Sequence, residues 1–184
     1  SRKQHHKSSS AGTEGAVHRQ VRHIQDADIR ELAKSVKNLN MEMAVTDEMV
    51  RIACEVKPHS SCLVPEKRQE LTTEGGLDVA GQRDKVRAAV EKLHEAGIVV
   101  SCFIDPVEAQ LDAAKEVGAD YVELHTGTYS NTVGEARRQE LERLKAAAEH
   151  AHKIGLSVNA GHGIDYENIA GILEIPHLSE LNIG

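Results

Sequence analysis

Six short apolar runs begin near residues 39, 61, 98, 120, 156 and 180, and a helical pattern separates each from the next. That alternation is the βαβ pattern of a parallel sheet. No Gly-rich dinucleotide fingerprint follows any of the runs, which favours a (β/α) barrel over a doubly wound sheet. The count is short of eight. The expectation is therefore an α/β protein, either a TIM-type barrel that is incomplete or an open sheet.

Local signals place the elements. Asp26 or Asp28 can cap a first helix whose apolar face is Ile29, Leu32, Ala33 and Val36. Leu39–Val45 reads as a strand with one carboxylate, Glu42, in its middle. Thr46 caps the next helix, Asp47 and Glu48 suit its positive end, and Pro58 stops it. Asp105-Pro106 reads as a cap followed by a first-turn proline. Gly97, Gly118 and Gly155 stand where helices should end. A polar loop is expected around Gly127–Gly134, a short helix over Tyr166–Leu173, and a last strand at Leu181-Asn182-Ile183. Residues 1–15, SRKQHHKSSSAGTEG, lack apolar periodicity and read as a disordered leader, with Ala16–Gln20 the stub of a strand and 16–184 the barrel domain.

One connection is too long to be a plain turn. After Cys62-Leu63-Val64, Pro65 ends the strand and a polar run continues to Gln82, with paired threonines at Thr72-Thr73 and paired glycines at Gly75-Gly76. Connections in compact domains are mostly two to six residues, and longer ones are functional or disordered. The run is either a ligand loop at the end of a strand or a merely solvated one.

Charge narrows the partners. A net charge of −7 argues against nucleic acid and membrane surfaces, and no apolar run reaches the length of a membrane span. Without an apolar signal region the expected location is cytoplasmic. Cys54, Cys62 and Cys102 lie in apolar runs without CxxC spacing, as buried reduced thiols do.

Barrel enzymes place their chemistry at the C-terminal ends of strands. Polar residues interrupt the strand regions at Glu42, at Glu123 and His125, and at Asn159 and His162. A carboxylate in a strand buried on both faces is costly unless paired or protonated, so each could be a satisfied core group. Convergence of several on one end makes a proton-transfer set instead. The carboxylates and histidines come singly, not at metal-ligand spacing, so no metal is expected. His94, His150 and His152 fall on helix exteriors. The glycines of Gly161–Gly163 and Ile183-Gly184 follow the last two strands, where barrels cradle phosphate on bare backbone N–H groups.

The segments NMEMAVTDEM, CLVPEKRQELTTEGGLDVAGQRDKVR, FID, VELHTG, VNAGHG and ELNIG resemble the pyridoxine 5′-phosphate synthase family, in the same order and at similar spacing. The resemblance runs from about Val17 to Gly184. It implies a TIM barrel that condenses 1-deoxy-D-xylulose 5-phosphate with 3-amino-2-oxopropyl phosphate. The products are pyridoxine 5′-phosphate, phosphate and water, formed without metal or organic cofactor, and family members are homo-octamers. By motif, Glu42 matches the catalytic base, His162 the proton donor and Glu123 the carboxylate that stabilises transition-state charge. Thr72 matches a contact to the deoxyxylulose phosphate and Gly163 a contact to the amino-ketone phosphate. Gly184 matches the first residue of a Gly-His pair holding that second substrate.

The N-terminal side departs from the family. Its first-strand Asn-x-Asp-His motif and arginine are not found, and HRQVRH stands where the family has a histidine-to-histidine run two residues longer. His23 aligns with the second histidine, a substrate contact. His18 aligns with the first, another catalytic base, if a gap is allowed, and Arg19 then stands for the substrate-binding arginine. The resemblance thus implies a shortened member, lacking the first strand–helix unit and the last helix. Two alternatives stay open: a non-catalytic remnant that binds phosphate ligands or partners, and another phosphosugar barrel enzyme. The lack of a strand-end lysine for a Schiff base weighs against the latter.

Overall fold

The computed structural model describes residues 26–66 and 75–183. In chain order the elements are α1 (Asp26–Ser35), β1 (Asn40–Ala44), α2 (Asp47–Val56), β2 (Ser60–Val64), α3 (Arg83–Glu95), β3 (Val99–Ile104) and α4 (Glu108–Glu116). They continue with β4 (Tyr121–His125), α5 (Gly127–Asn131), α6 (Gly134–Lys153), β5 (Ser157–Gly161), α7 (Ile169–Ile172) and β6 (Leu178–Asn182). The strands form one six-stranded parallel sheet in the order β1-β2-β3-β4-β5-β6. Each new strand is laid beside the last with no reversal. That is the winding of a barrel, and it excludes the switch point of a doubly wound sheet. Among the described residues the sheet is open, with β1 and β6 at its edges.

Register and the two-residue period of a strand sort the side chains into two faces. Pairing sets Glu42 beside Cys62, Cys62 beside Ser101, Phe103 beside Glu123, and Glu123 beside Asn159. The other parity carries Met43, Leu63, Cys102, Leu124 and Val158, all buried. These join one core with Val86, Val90 and Leu93 of α3, Leu111 and Ala114 of α4, and Leu144 and Ala148 of α6. With one Phe and no Trp in the chain, aliphatic side chains and alanines fill this layer. The helices therefore cover the apolar face, and the polar residues share the face turned away from them.

Capping follows the expected chemistry at α2, where Thr46 Oγ1 accepts the Met49 N–H at 3.2 Å. Its C-terminal end turns at Lys57 with φ 53°, just before Pro58. Gly155 takes φ +79° where α6 stops, a conformation glycine reaches without Cβ strain.

Several expectations need correction. Helix α4 begins at Glu108 with Val107 in the N-cap position, so Asp105 is not its cap. The Asp105 carboxylate is engaged elsewhere, as described below. Residues 127–131 form a short helix inside the expected polar loop. The helix expected over 166–173 is only α7, because Asp165 Oδ1 accepts the N–H groups of Glu167 and Asn168 and holds those residues in a turn. The last strand starts earlier, at Leu178. His94 and His150 are hydrogen-bonded to Asp120 and Asp112 at 2.8 and 2.7 Å, and His152 stacks on His177. Cys62 and Cys102 are buried free thiols and Cys54 is half-buried. Among the described residues no helix is long and apolar enough to cross a membrane.

Candidate active site

The inner face of the sheet gathers around Glu123 of β4, which is buried. Two donors converge on its Oε2: Asn182 Nδ2 of β6 at 2.6 Å and the Cys62 thiol of β2 at 3.4 Å. Both contacts skip a strand. The span to β6 is possible because β5 presents Gly161, where any Cβ would overlap Glu123 Oε1. The span to β2 passes β3 at Ser101, a small side chain with a buried hydroxyl.

Burial holds the Glu123 carboxyl above the usual range. The hydrogen bonds from Asn182 and Cys62 pull back against that rise, and the nearby Glu42 charge adds to it. Burial also pushes the Cys62 thiol well up, and the Glu123 carboxylate adds to the effect. Cys62 is thus a donor here, not a nucleophile. Cys102, on the opposite face, is pushed up to about 12 by burial alone.

A second group forms at the C-terminal ends of β3, β4 and β5. His125, buried at the end of β4, packs edge-on against His162 with ring centroids 4.9 Å apart. Phe103 lies 5.1 Å from the His125 ring and 6.1 Å from that of His162. Asp105, the first residue after β3, places Oδ1 3.0 Å from His125 Nδ1 and accepts the Gly76 N–H at 3.2 Å. The His125 contact, helped by the Gly76 N–H, keeps the Asp105 carboxyl below the usual range against the opposing effect of burial.

The turn that carries His162 is held by its backbone. His162 takes φ 84°, outside the range an L side chain adopts comfortably, and Gly163 follows at φ +77°. Such conformations cost about 1–3 kcal/mol and persist only where surroundings enforce them. Thr126, fully buried, supplies the enforcement. Its Oγ1 lies 2.7 Å from both the Gly161 and His162 carbonyls, and its N–H donates to Gly161 O at 2.9 Å. Beyond the turn, Asn168 Nδ2 donates to Gly163 O at 2.9 Å. His162 and Gly163 remain exposed at the sheet's end.

The structure therefore brings Glu123, His162 and Gly163 to one side and end of the sheet. Glu42 lies on the same face and is felt by Glu123, yet it is exposed and not buried as expected. Its strand is at the edge of the described sheet, so only β2 flanks it. His18, Arg19, His23, Thr72 and Gly184 lie outside the described residues. Sequence reasoning passed over Asp105 and Asn182 as site residues and took Cys62 for a core thiol.

The fold is of the (β/α)-barrel type, with ionisable and polar side chains gathered on one face of its sheet. Residues 6–184 match the family model described as "Pyridoxal phosphate biosynthesis protein PdxJ". The chain is 56% identical over 165 residues to the pyridoxine 5′-phosphate synthase of Photobacterium profundum, covering 89% of this chain and 68% of that protein. The chain belongs to the PdxJ family. Among solved structures it resembles a xylose isomerase domain protein from Planctomyces limnophilus, with TM-score 0.51 and 15% identity over 78% of this chain and 62% of that one. It also resembles a chain of the Amycolatopsis orientalis BexX/CysO complex, with TM-score 0.50 and 18% identity over 72% of this chain and 49% of that one. The chain thus spans less than two thirds of either solved chain, and at these identities the likeness is one of fold.

Proposed function

We propose that the protein is a transferase-class pyridoxine 5′-phosphate synthase. It joins 3-amino-2-oxopropyl phosphate to 1-deoxy-D-xylulose 5-phosphate and closes the ring, releasing phosphate and water. Membership of the PdxJ family supports the reaction. The observation that carries the site is the convergence of Glu123, His125 and His162, with Glu42 on the same sheet face.

In this reading Glu42 takes protons as condensation and ring closure proceed. His162 donates protons to leaving oxygen from a turn that holds it out of the core. Glu123 faces the positive charge that develops on the condensing nitrogen, fixed there by Asn182 and Cys62. Gly163 lets a phosphate oxygen approach backbone N–H groups closely, since no Cβ stands in the way. Thr72 and His23 contact the deoxyxylulose phosphate. Gly184 contacts the amino-ketone, with His18 a further base and Arg19 a further substrate contact. Positioned acids and bases contribute roughly 10²–10⁴ in rate each, and holding two substrates in register contributes up to about 7–11 kcal/mol. We further infer a cytoplasmic homo-octamer built without metal or organic cofactor, as the family resemblance implies.

The test supplies both phosphorylated substrates to the whole protein and follows the pyridoxine product by its absorbance. Product that requires both substrates is the expected result, and its absence at any enzyme concentration overturns the reading.

A further inference from the structure

A carboxylate can only accept hydrogen bonds when ionised, and Asp105 accepts two on one oxygen, from the His125 imidazole and from the Gly76 backbone. The contact to Asp105 therefore requires that His125 Nδ1 carry the proton. In a neutral ring with that tautomer, Nε2 is the nitrogen with a free lone pair. That nitrogen faces Gly127, where a Cβ would approach it to 2.5 Å, so the residue after Thr126 must be bare for the ring to sit as it does. The same ring meets His162 edge-on at 4.9 Å, with the Phe103 ring against both. Three independent features thus fix one imidazole: a buried position, an anionic acceptor on one nitrogen, and an open backbone at the other. A histidine that served packing alone would need neither the carboxylate nor the bare glycine.

We propose that Asp105 and His125 are a positioning pair for His162. Asp105 holds the His125 ring through Nδ1, and the edge of that ring holds the His162 imidazole in its proton-donating orientation. The Gly76 N–H, on the same oxygen, ties the return of the long β2–α3 connection to this pair. Here the close approach of backbone is again required, because a Cβ on Gly76 would overlap the Ile104–Asp105 backbone. The proposal rests on the synthase reading for its effect on turnover, but the tautomer is a property of the resting protein.

The experiment has two arms. In the first, histidine-labelled protein is examined by nitrogen NMR, and the signals that disappear in His125→Asn assign the ring. Expected is a protonated Nδ1 and an unprotonated Nε2 in the wild type, with this preference lost in Asp105→Asn. An Nε2-protonated ring, or one unchanged by Asp105→Asn, overturns the proposal. In the second, Asp105→Asn and His125→Asn are assayed with both substrates. His125→Asn keeps a donor for Asp105 and removes the ring that packs against His162. Each variant is expected to lower kcat about 10–100-fold with KM within about twofold, the split expected when a transition-state interaction alone is lost. His125→Gln, which carries its amide further out, serves if the Asn variant does not fold. Turnover unchanged in folded variants overturns the positioning role. A wild type that makes no product removes the synthase reading instead, and the NMR arm still decides the pair.

Discussion

The two carboxylates of the polar face sit in unlike surroundings. Glu123, in the middle of the sheet, is buried and held by side chains from strands on both sides. Glu42, on β1, is exposed and has a strand on one side alone among the described residues. A central strand lets side chains two strands away meet, provided that the intervening position is small, and Gly161 and Ser101 meet that condition. An edge strand offers half as many neighbours and full access to solvent. Among the described residues the two carboxylates thus differ in burial and in the number of flanking strands, and the roles proposed for them can be tested separately.

The sharpest break of the comparison is Glu42→Gln. Turnover should fall by roughly 10²–10⁴, the contribution of a well-placed base, while substrate binding falls less. Because Glu42 is exposed, the thermal midpoint should stay close to wild type, within the roughly ±0.5 kcal/mol typical of surface changes. Near-normal turnover in a folded Glu42→Gln protein removes the base assignment.

Gly161→Ala tests the other member. The new methyl overlaps Glu123 Oε1 and crowds Asn182 Cβ at 3.1 Å, so the carboxylate must leave its donors or β6 must shift. Overpacking of this kind costs about 1–3 kcal/mol, and here it also moves the carboxylate to which the proposed function assigns charge stabilisation. Stability in urea and turnover should fall together, unlike the pattern at Glu42. A variant with wild-type urea midpoint and turnover shows that the bridge from Glu123 to Asn182 is incidental.

The alternation of strands and helices was legible because it depends on local periodicity. So were Thr46 as a cap and glycine at the helix ends, since those rules act within a few residues. Asp105 shows where local reading stops. Followed by proline, it looks like a helix cap, yet its partners are Gly76, 29 residues before it, and His125, 20 residues after it. Backbone at Val107 starts the helix without it. Asn182 was read as an ordinary residue of a last strand, because nothing within that strand reveals a partner 59 residues back. The exposure of Glu42 likewise depends on which strands flank β1, a property of the assembled sheet. The sequence motifs named Glu42, Glu123, His162 and Gly163, and the contacts of Asp105, Asn182 and Cys62 came from the coordinates.

Titration of Glu123 gives the smallest effect and the most direct measure of its burial. Burial raises its pKa in the folded protein above the unfolded value of roughly 4.3. The native state therefore holds this proton more tightly than the unfolded chain does. Below the unfolded value both states are protonated and burial of the charge costs nothing. As pH rises through the window up to the folded value, the unfolded chain ionises first and stability is lost, after which the loss is constant. Glu123→Gln stays neutral throughout and can still accept from Asn182, so it escapes that loss. Urea midpoints measured for both proteins from about pH 4 to pH 8 should show the variant gaining on wild type as pH rises, then running parallel to it. A gap that does not change with pH means that Glu123 carries no desolvation penalty, and that the centre of the sheet treats its carboxylate no differently from the edge.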